Sequence, residues 1–153
     1  MRKKRIAEKT AALKKRKKIL ETEWRVSIKP FDVAYSVYIA LSDKAFRKIA
    51  RHDKEDMRPS ESWSCRSGAS CWTLSKGARC VICLEPGKLL EKPQCDVAGM
   101  IAHECSHAVD YIEKGVQEDR FGDETRAYMI QWLVENCFYL LYNVLPKDPT
   151  TCE

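Results

Sequence analysis

The chain contains no long apolar segment. Across its 153 residues, no apolar run approaches the roughly 20 residues needed to cross a bilayer. The first ten residues are positively charged, but no apolar segment of the kind found in secretory signal peptides follows them. Internal repeats and low-complexity tracts are also missing, apart from the basic N-terminus. We therefore expect a cytoplasmic protein without membrane contact, large enough to fold around one core.

The chain has only three histidines, and two of them lie four residues apart. Residues 103–107 read His-Glu-Cys-Ser-His. On a helix, His103 and His107 share one face, so their imidazoles can converge on one metal ion such as Zn²⁺. Glu104 lies beside that face, where its carboxylate can deprotonate a metal-bound water and then protonate a leaving amine. The pattern predicts a hydrolytic zinc site.

The surrounding sequence favours a helix for this motif. Asp96 is a candidate N-cap and Gly115 a candidate C-cap, which together predict a helix over about 97–114. Its expected buried stripe consists of Ala98, Ile101, Cys105, Ala108 and Ile112. The alternative is that the two histidines are ordinary polar residues on a half-exposed helix. The spacing of two of only three histidines around a glutamate favours the metal site.

A catalytic zinc ion usually has three protein ligands, so the histidine pair needs a third. His52 is the only other histidine, and it lies in a charged segment far upstream. A second helix is predicted from Asp123 or Glu124 to about Leu145, where Pro146 ends it. Glu124 is the favoured third ligand, with Asp123 as the alternative or as an N-cap. Glu124 could also be only an acid favoured by the helix dipole. The apolar residues expected to face inward are Ala127, Ile130, Val134, Cys137, Phe138 and Leu141.

These two segments resemble the active-site helix pair of the zincin metallopeptidases. The similar residues are 97–109, which contain the HExxH motif, and 123–128, which read Asp-Glu-Thr-Arg-Ala-Tyr. The arrangement resembles the gluzincin type, and the three-histidine metzincin pattern is absent. The chain also resembles short HExxH proteins of tailed bacteriophages, which implies the host cytoplasm as its location. The resemblance implies a zinc-dependent peptidase that acts on a peptide or protein substrate. It assigns the zinc ligands to His103, His107 and Glu124 and the catalytic base to Glu104.

The remaining sequence predicts an α+β fold. The expected elements are strands at 24–28 and 32–41, a helix capped by Ser42 and reaching about Arg51, a loop over 53–71, and a hairpin of 71–74 with 79–85. We expect a small β-sheet packed on the HExxH helix and on the long C-terminal helix. An edge strand of that sheet can hold an extended peptide, as is typical of zincins.

The basic charge belongs to the N-terminus. Residues 1–25 contain 11 Lys and Arg against 3 Asp and Glu, a net charge of +8, and since the whole chain carries +5, residues 26–153 carry −3. A seven-residue apolar repeat predicts an amphipathic helix over about 7–24. We therefore divide the chain into a basic helical arm, 1–23, and one zincin-like domain, 24–153. The arm is a candidate for contact with nucleic acid or an acidic partner, and a solvated face is the alternative.

The eight cysteines suggest thiols more than disulfides in a reducing compartment. Cys65, Cys71, Cys80 and Cys83 are a candidate second zinc site. If Cys80 and Cys83 lie on one strand, however, they point to opposite faces, which favours buried thiols instead. Cys95, Cys105, Cys137 and Cys152 show no ligand spacing.

Two other functions remain open beside the peptidase. One is a non-catalytic phage or host-interaction protein that uses a zinc-braced helix pair as a scaffold together with the basic arm. The other is a nucleic-acid-associated factor. Tyr111 and Tyr128 are both candidates to stabilise an oxyanion, and the resemblance selects neither.

Overall fold

The computed structural model of the chain describes residues 2–28, 35–52, 68–74, 79–116 and 121–144. Five helices and four strands lie in these ranges. In chain order they are α1 (Arg2–Glu21), β1 (Trp24–Val26), β2 (Ser36–Ala40), α2 (Asp43–His52), β3 (Ala69–Leu74), β4 (Arg79–Leu84), α3 (Pro86–Leu89), α4 (Gln94–Gly115) and α5 (Asp123–Asn143). The fold is therefore α+β, as the sequence predicts.

The strands form one mixed sheet in the order β1-β2-β4-β3. β1 pairs antiparallel with β2, and β3 pairs antiparallel with β4, so the predicted hairpin is confirmed. β2 and β4 are parallel. A parallel pair needs a crossover between its strands, and α2 lies in that connection. Among the described strands, β3 has a neighbour on one side only, which makes it an edge strand.

Helices cover both faces of the sheet. Because side chains alternate along a strand, Val81 and Cys83 of β4 pack with Phe46 of α2, whereas Cys80 and Ile82 face the other way. That second face belongs to the larger core, which α4 and α5 complete. The fully buried side chains of this core include Ile39, Ile82, Leu84, Ile101, Ile112, Leu133 and Leu141. Burial of each such aliphatic side chain stabilises the fold by about 1.5–3 kcal/mol.

The motif helix α4 forms as predicted but is longer, and because its C-cap residue is Val116, the predicted C-cap role of Gly115 is wrong. Pro93 is its N-cap residue, so Asp96 lies inside the first turn and its predicted N-cap role is wrong. A proline there fixes φ just before the first turn of the helix, while Asp96 still suits the positive end of the helix dipole. The predicted buried stripe is confirmed except at Ala98, which is half-buried, and Val97 and Val109 extend it.

The other elements agree with the sequence in type and differ at their ends. Ser42 caps α2, since its Oγ accepts a hydrogen bond of 3.2 Å from the Ala45 amide. The predicted loop over 53–71 overlaps the start of β3 at Ala69, and residues 53–67 lie outside the described part of the chain. On α5, Gly122 is the N-cap residue. No helix in the described ranges has the length and apolar content needed to cross a membrane.

Helix α1 differs from the predicted amphipathic arm. It spans Arg2–Glu21, and Trp24 belongs to β1. Leu13 is 65% exposed, whereas Ile19 near the end of the helix is buried. Within residues 7–21, the part of α1 whose side chains the structure describes, the predicted apolar stripe therefore packs against the rest of the protein at its C-terminal end.

Candidate metal centre

The two histidines of the HExxH motif converge at their Nε2 atoms. His103 Nε2 and His107 Nε2 lie 3.2 Å apart, with the rings nearly perpendicular at 84°. Two Zn–N bonds of about 2.05 Å at a tetrahedral angle place their nitrogens about 3.3 Å apart. The same distance also suits a hydrogen bond from one protonated Nε2 to the other. The separation therefore fits either two ligands on one tetrahedral ion or two imidazoles joined by a hydrogen bond.

The pair projects from the solvent side of α4. Each histidine is two residues from Cys105, which corresponds to about 200° around the helix. Cys105 is fully buried, and both histidines are exposed. The core therefore holds one side of α4 and leaves the imidazoles accessible to a ligand on the other.

Glu104 and Tyr111 lie on the flank of α4 that faces β3. The hydrogen bond with Cys80 and then burial raise the pKa of the Cys71 thiol on β3, and the half-buried Glu104 adds to this effect. Partial burial raises the pKa of Tyr111, and nearby acidic groups that include Glu104 add to the effect. Tyr111 therefore stays protonated at neutral pH and can donate a hydrogen bond.

Asp110 and Glu113 lie on the flank that faces α5. Asp110 Oδ2 is 4.0 Å from His107 Nδ1, and Asp110 Oδ1 accepts a hydrogen bond of 2.5 Å from Arg126 of α5. Arg126 also donates to Glu113 at 2.9 Å. These carboxylates, Asp110 first, raise the pKa of Arg126 above its ordinary value. The sequence reasoning missed this network. Its sequence signal is two successive steps of three residues, from His107 to Asp110 and from Asp110 to Glu113.

Glu124, the predicted third ligand, is exposed in the first turn of α5. The residue of this turn that contacts α4 is Arg126, two positions later and about 200° around the helix. Across the described residues, no three His, Cys, Asp or Glu side chains form a group that could hold a metal ion. The structure thus brings together two of the three predicted ligands, and Glu124 stays a prediction. Asp123 is also exposed, and His52 ends α2 on the opposite face of the sheet.

Four buried or half-buried cysteines form two pairs, one between β3 and β4 and one between α4 and α5. Cys71 Sγ and Cys80 Sγ lie 3.1 Å apart, and a hydrogen bond joins the thiols of Cys105 and Cys137. The hydrogen bond with Cys80, followed by burial, raises the pKa of the Cys71 thiol. The hydrogen bond with Cys105, followed by burial, raises the pKa of the Cys137 thiol. In the candidate second zinc site, Cys80 and Cys83 lie on opposite faces of β4 and therefore do not face one ion, and Cys65 lies outside the described residues.

Comparison of the chain with protein-family models, with curated proteins and with solved structures finds no match.

Proposed function

We propose that this protein is a zinc-dependent peptidase whose zinc ion is held by His103 and His107. The observation that carries the proposal is the 3.2 Å separation of the two Nε2 atoms on the solvent side of α4. Imidazoles at this separation suit one tetrahedral cation. A third protein ligand is needed, and the proposal assigns it to Glu124. The ion pairs of Arg126 hold the first turn of α5 beside α4, and the exposed Glu124 lies in the same turn, about 200° around the helix from Arg126.

The chain's own residues supply the proton transfers of such a reaction. A bound zinc ion would polarise the substrate carbonyl and lower the pKa of water. The Glu104 carboxylate accepts the proton of the attacking water and passes it to the departing amine. Tyr111 lies on the same flank as Glu104, which supports it over Tyr128 as the group that donates a hydrogen bond to the developing oxyanion. Tyr128 is 67% exposed on α5.

The edge strand β3 supports a peptide or protein as the substrate. The Glu85 amide donates a hydrogen bond of 2.8 Å to the Gly68 carbonyl. Hydrogen-bonded and non-hydrogen-bonded positions alternate along an antiparallel pair, so the backbone groups of Cys71 and Thr73 point away from β4. In the described part of the chain, no strand pairs with that side. An extended peptide can add there as a further strand, on the flank where Glu104 lies.

A non-catalytic role is the competing function. In that case the histidine pair holds zinc only to brace the surface of α4, and the protein acts by binding a phage or host partner. The two functions differ in one respect, since only the peptidase needs the carboxylate of Glu104.

Zinc content tests the site. The purified protein, the His103→Ala variant and the His52→Ala control are compared after dialysis against zinc. We expect one equivalent in the parent and the control, and loss of that equivalent in His103→Ala. A parent protein that retains no zinc would show that the site is wrongly assigned.

Peptide cleavage tests the chemistry. The zinc-loaded protein is incubated with a library of unstructured peptides, and the products are identified by mass spectrometry. Glu104→Gln should keep zinc and lose cleavage by about 10²–10⁴-fold, because the general base is removed. Glu91→Gln, an exposed residue outside the site, should cleave as the parent does. Equal cleavage by Glu104→Gln and the parent would overturn the peptidase proposal and favour the scaffold.

A further inference from the structure

The exposed part of α1, residues 7–18, is a strongly basic surface that the proposed peptidase does not use. All twelve side chains of this segment are exposed. Six are Lys or Arg, and Glu8 is the single acid. Leu13 is the one large apolar side chain in the segment, and no aromatic residue occurs there. We call residues 7–18 the basic segment.

The C-terminal end of α1 is firmly attached to the domain. A helix leaves its last four carbonyls without partners inside the helix, and in α1 all four accept side-chain hydrogen bonds. The donors are Thr22 to Lys18 at 2.6 Å, Trp24 to Ile19 at 3.0 Å, Ser42 to Leu20 at 2.5 Å and Lys48 to Glu21 at 2.8 Å. Lys44 also forms an ion pair of 2.8 Å with the Glu21 carboxylate. The domain therefore fixes the end of the helix that carries the basic segment.

The charge distribution of the basic segment opposes its own helix. Lys14 and Lys18 are four residues apart, and like charges at that spacing destabilise a helix by about 0.2–0.5 kcal/mol per pair. The basic residues Lys14 to Lys18 occupy consecutive positions, so they surround the helix on all sides. A polyanion that neutralises these charges would relieve the repulsion and stabilise the helix.

We propose that the basic segment binds the phosphate backbone of duplex nucleic acid without sequence specificity. A duplex carries about one negative charge per 1.7 Å of its axis, which provides phosphates for several of these side chains at once. A membrane-surface helix needs an apolar face, which the segment lacks. Stacking of single-stranded bases needs aromatic side chains, which are also missing. A protein interface needs a buried apolar or aromatic centre, and Leu13 alone does not provide one.

The test is a salt-dependent binding measurement on the full-length, zinc-loaded protein. The probe is a fluorescent DNA duplex of arbitrary sequence, followed by anisotropy. With about five or six phosphate contacts, affinity should fall by about 10³-fold between about 50 and about 200 mM salt. Binding that is insensitive to salt would overturn the proposal.

Two variants with the same loss of charge locate the surface. Lys14, Lys15 and Lys18 are changed together to Gln, which keeps helix propensity. In the control, three basic residues outside α1 are changed to Gln, namely Arg51, Lys88 and Lys92. The first variant should bind at least about tenfold more weakly and lower the slope of log affinity against log salt by about 2.7. The control should lower affinity much less. Equal losses in the two variants would show that net charge alone explains the binding.

Two further probes test whether the basic segment prefers duplex DNA to other polyanions. Single-stranded DNA of the same length and vesicles that contain about 30% phosphatidylserine are titrated under the same conditions. We expect the duplex to bind more tightly than either one. Tighter binding of the single strand or of the vesicle would overturn the assignment to duplex nucleic acid. Circular dichroism of both variants confirms that α1 remains helical.

Discussion

Asp110 Oδ2 lies 4.0 Å from the Nδ1 atom of His107, on the side of the ring away from the Nε2 atom that approaches His103. The other oxygen of Asp110 is held by Arg126 from the neighbouring helix. Metal-binding histidines commonly direct their second ring nitrogen to a carboxylate, which fixes the orientation and tautomer of the ring. α5 therefore contributes to the candidate centre through Arg126 and Asp110.

Asp110→Asn should weaken zinc binding with little effect on the fold. The amide keeps the shape of the side chain but removes the negative charge beside His107, and loss of such a partner typically costs 10–100-fold, so we expect about that decrease in zinc affinity. Arg126 retains its bond to Glu113. Competition with a chelating dye measures the affinity, with Asp96→Asn in the exposed first turn of α4 as the control. An affinity within about twofold of the parent would contradict the positioning role of Asp110.

Arg126→Gln should destabilise the protein by about 1 kcal/mol. The substitution removes charged hydrogen bonds to Asp110 and Glu113, which are partly exposed and therefore screened by solvent. Arg126→Lys should recover only part of the loss, because an ammonium group cannot bond both carboxylates with the geometry of a guanidinium. Urea denaturation gives the free energy of unfolding. Unchanged stability in both variants would mean that these ion pairs do not hold α5 against α4.

Glu124→Ala should reduce zinc affinity by more than about 100-fold if Glu124 is the third ligand, because loss of a direct ligand exceeds loss of an outer partner. Asp123→Ala, one residue earlier, is the matched control and should bind zinc as the parent does. The same chelator competition measures both variants. Equal affinities for the two would exclude Glu124 as a ligand.

The helices and the histidine pair could be predicted because their signals are local. Apolar spacing places α4 and its buried stripe, and the HExxH spacing places two imidazoles on one side of it. The sequence predicts less well which side of α5 is buried, since Ala127 is exposed while Met129 and Leu133 are buried. Aromatic and apolar residues occupy most sides of this helix, so spacing alone does not identify the buried face.

The contacts between elements could not be predicted from the sequence. Arg126 reaches Asp110 because the packing of α5 on α4 brings their ends together, and no local pattern encodes that contact. Cys105 and Cys137 likewise show no ligand spacing, yet their thiols meet where the two helices pack in the core. Long-range pairs of this kind are set by the tertiary fold.

The paired thiols should make the protein less stable at alkaline pH. The hydrogen bond with Cys80 and then burial raise the pKa of Cys71 above the ordinary thiol value of 9.0, and the bond with Cys105 and then burial do the same for Cys137. Below about pH 9 the Cys71 and Cys137 thiols are protonated in both the folded and the unfolded protein. Above it the unfolded thiols ionise while the folded thiols stay protonated, so stability falls by up to about 1.4 kcal/mol per pH unit for each group.

Urea denaturation with a reductant, from about pH 8 to about pH 10, measures this slope. Cys137→Ala removes one of the two groups, so its stability should fall with pH less steeply than that of the parent by about 1.4 kcal/mol per pH unit. Cys95→Ala is the control, because Cys95 is exposed in the first turn of α4 and should leave the slope unchanged. Parallel slopes for Cys137→Ala and the parent would show that Cys137 ionises equally easily in both states. The buried thiol pair would then contribute to packing alone, without coupling stability to proton release.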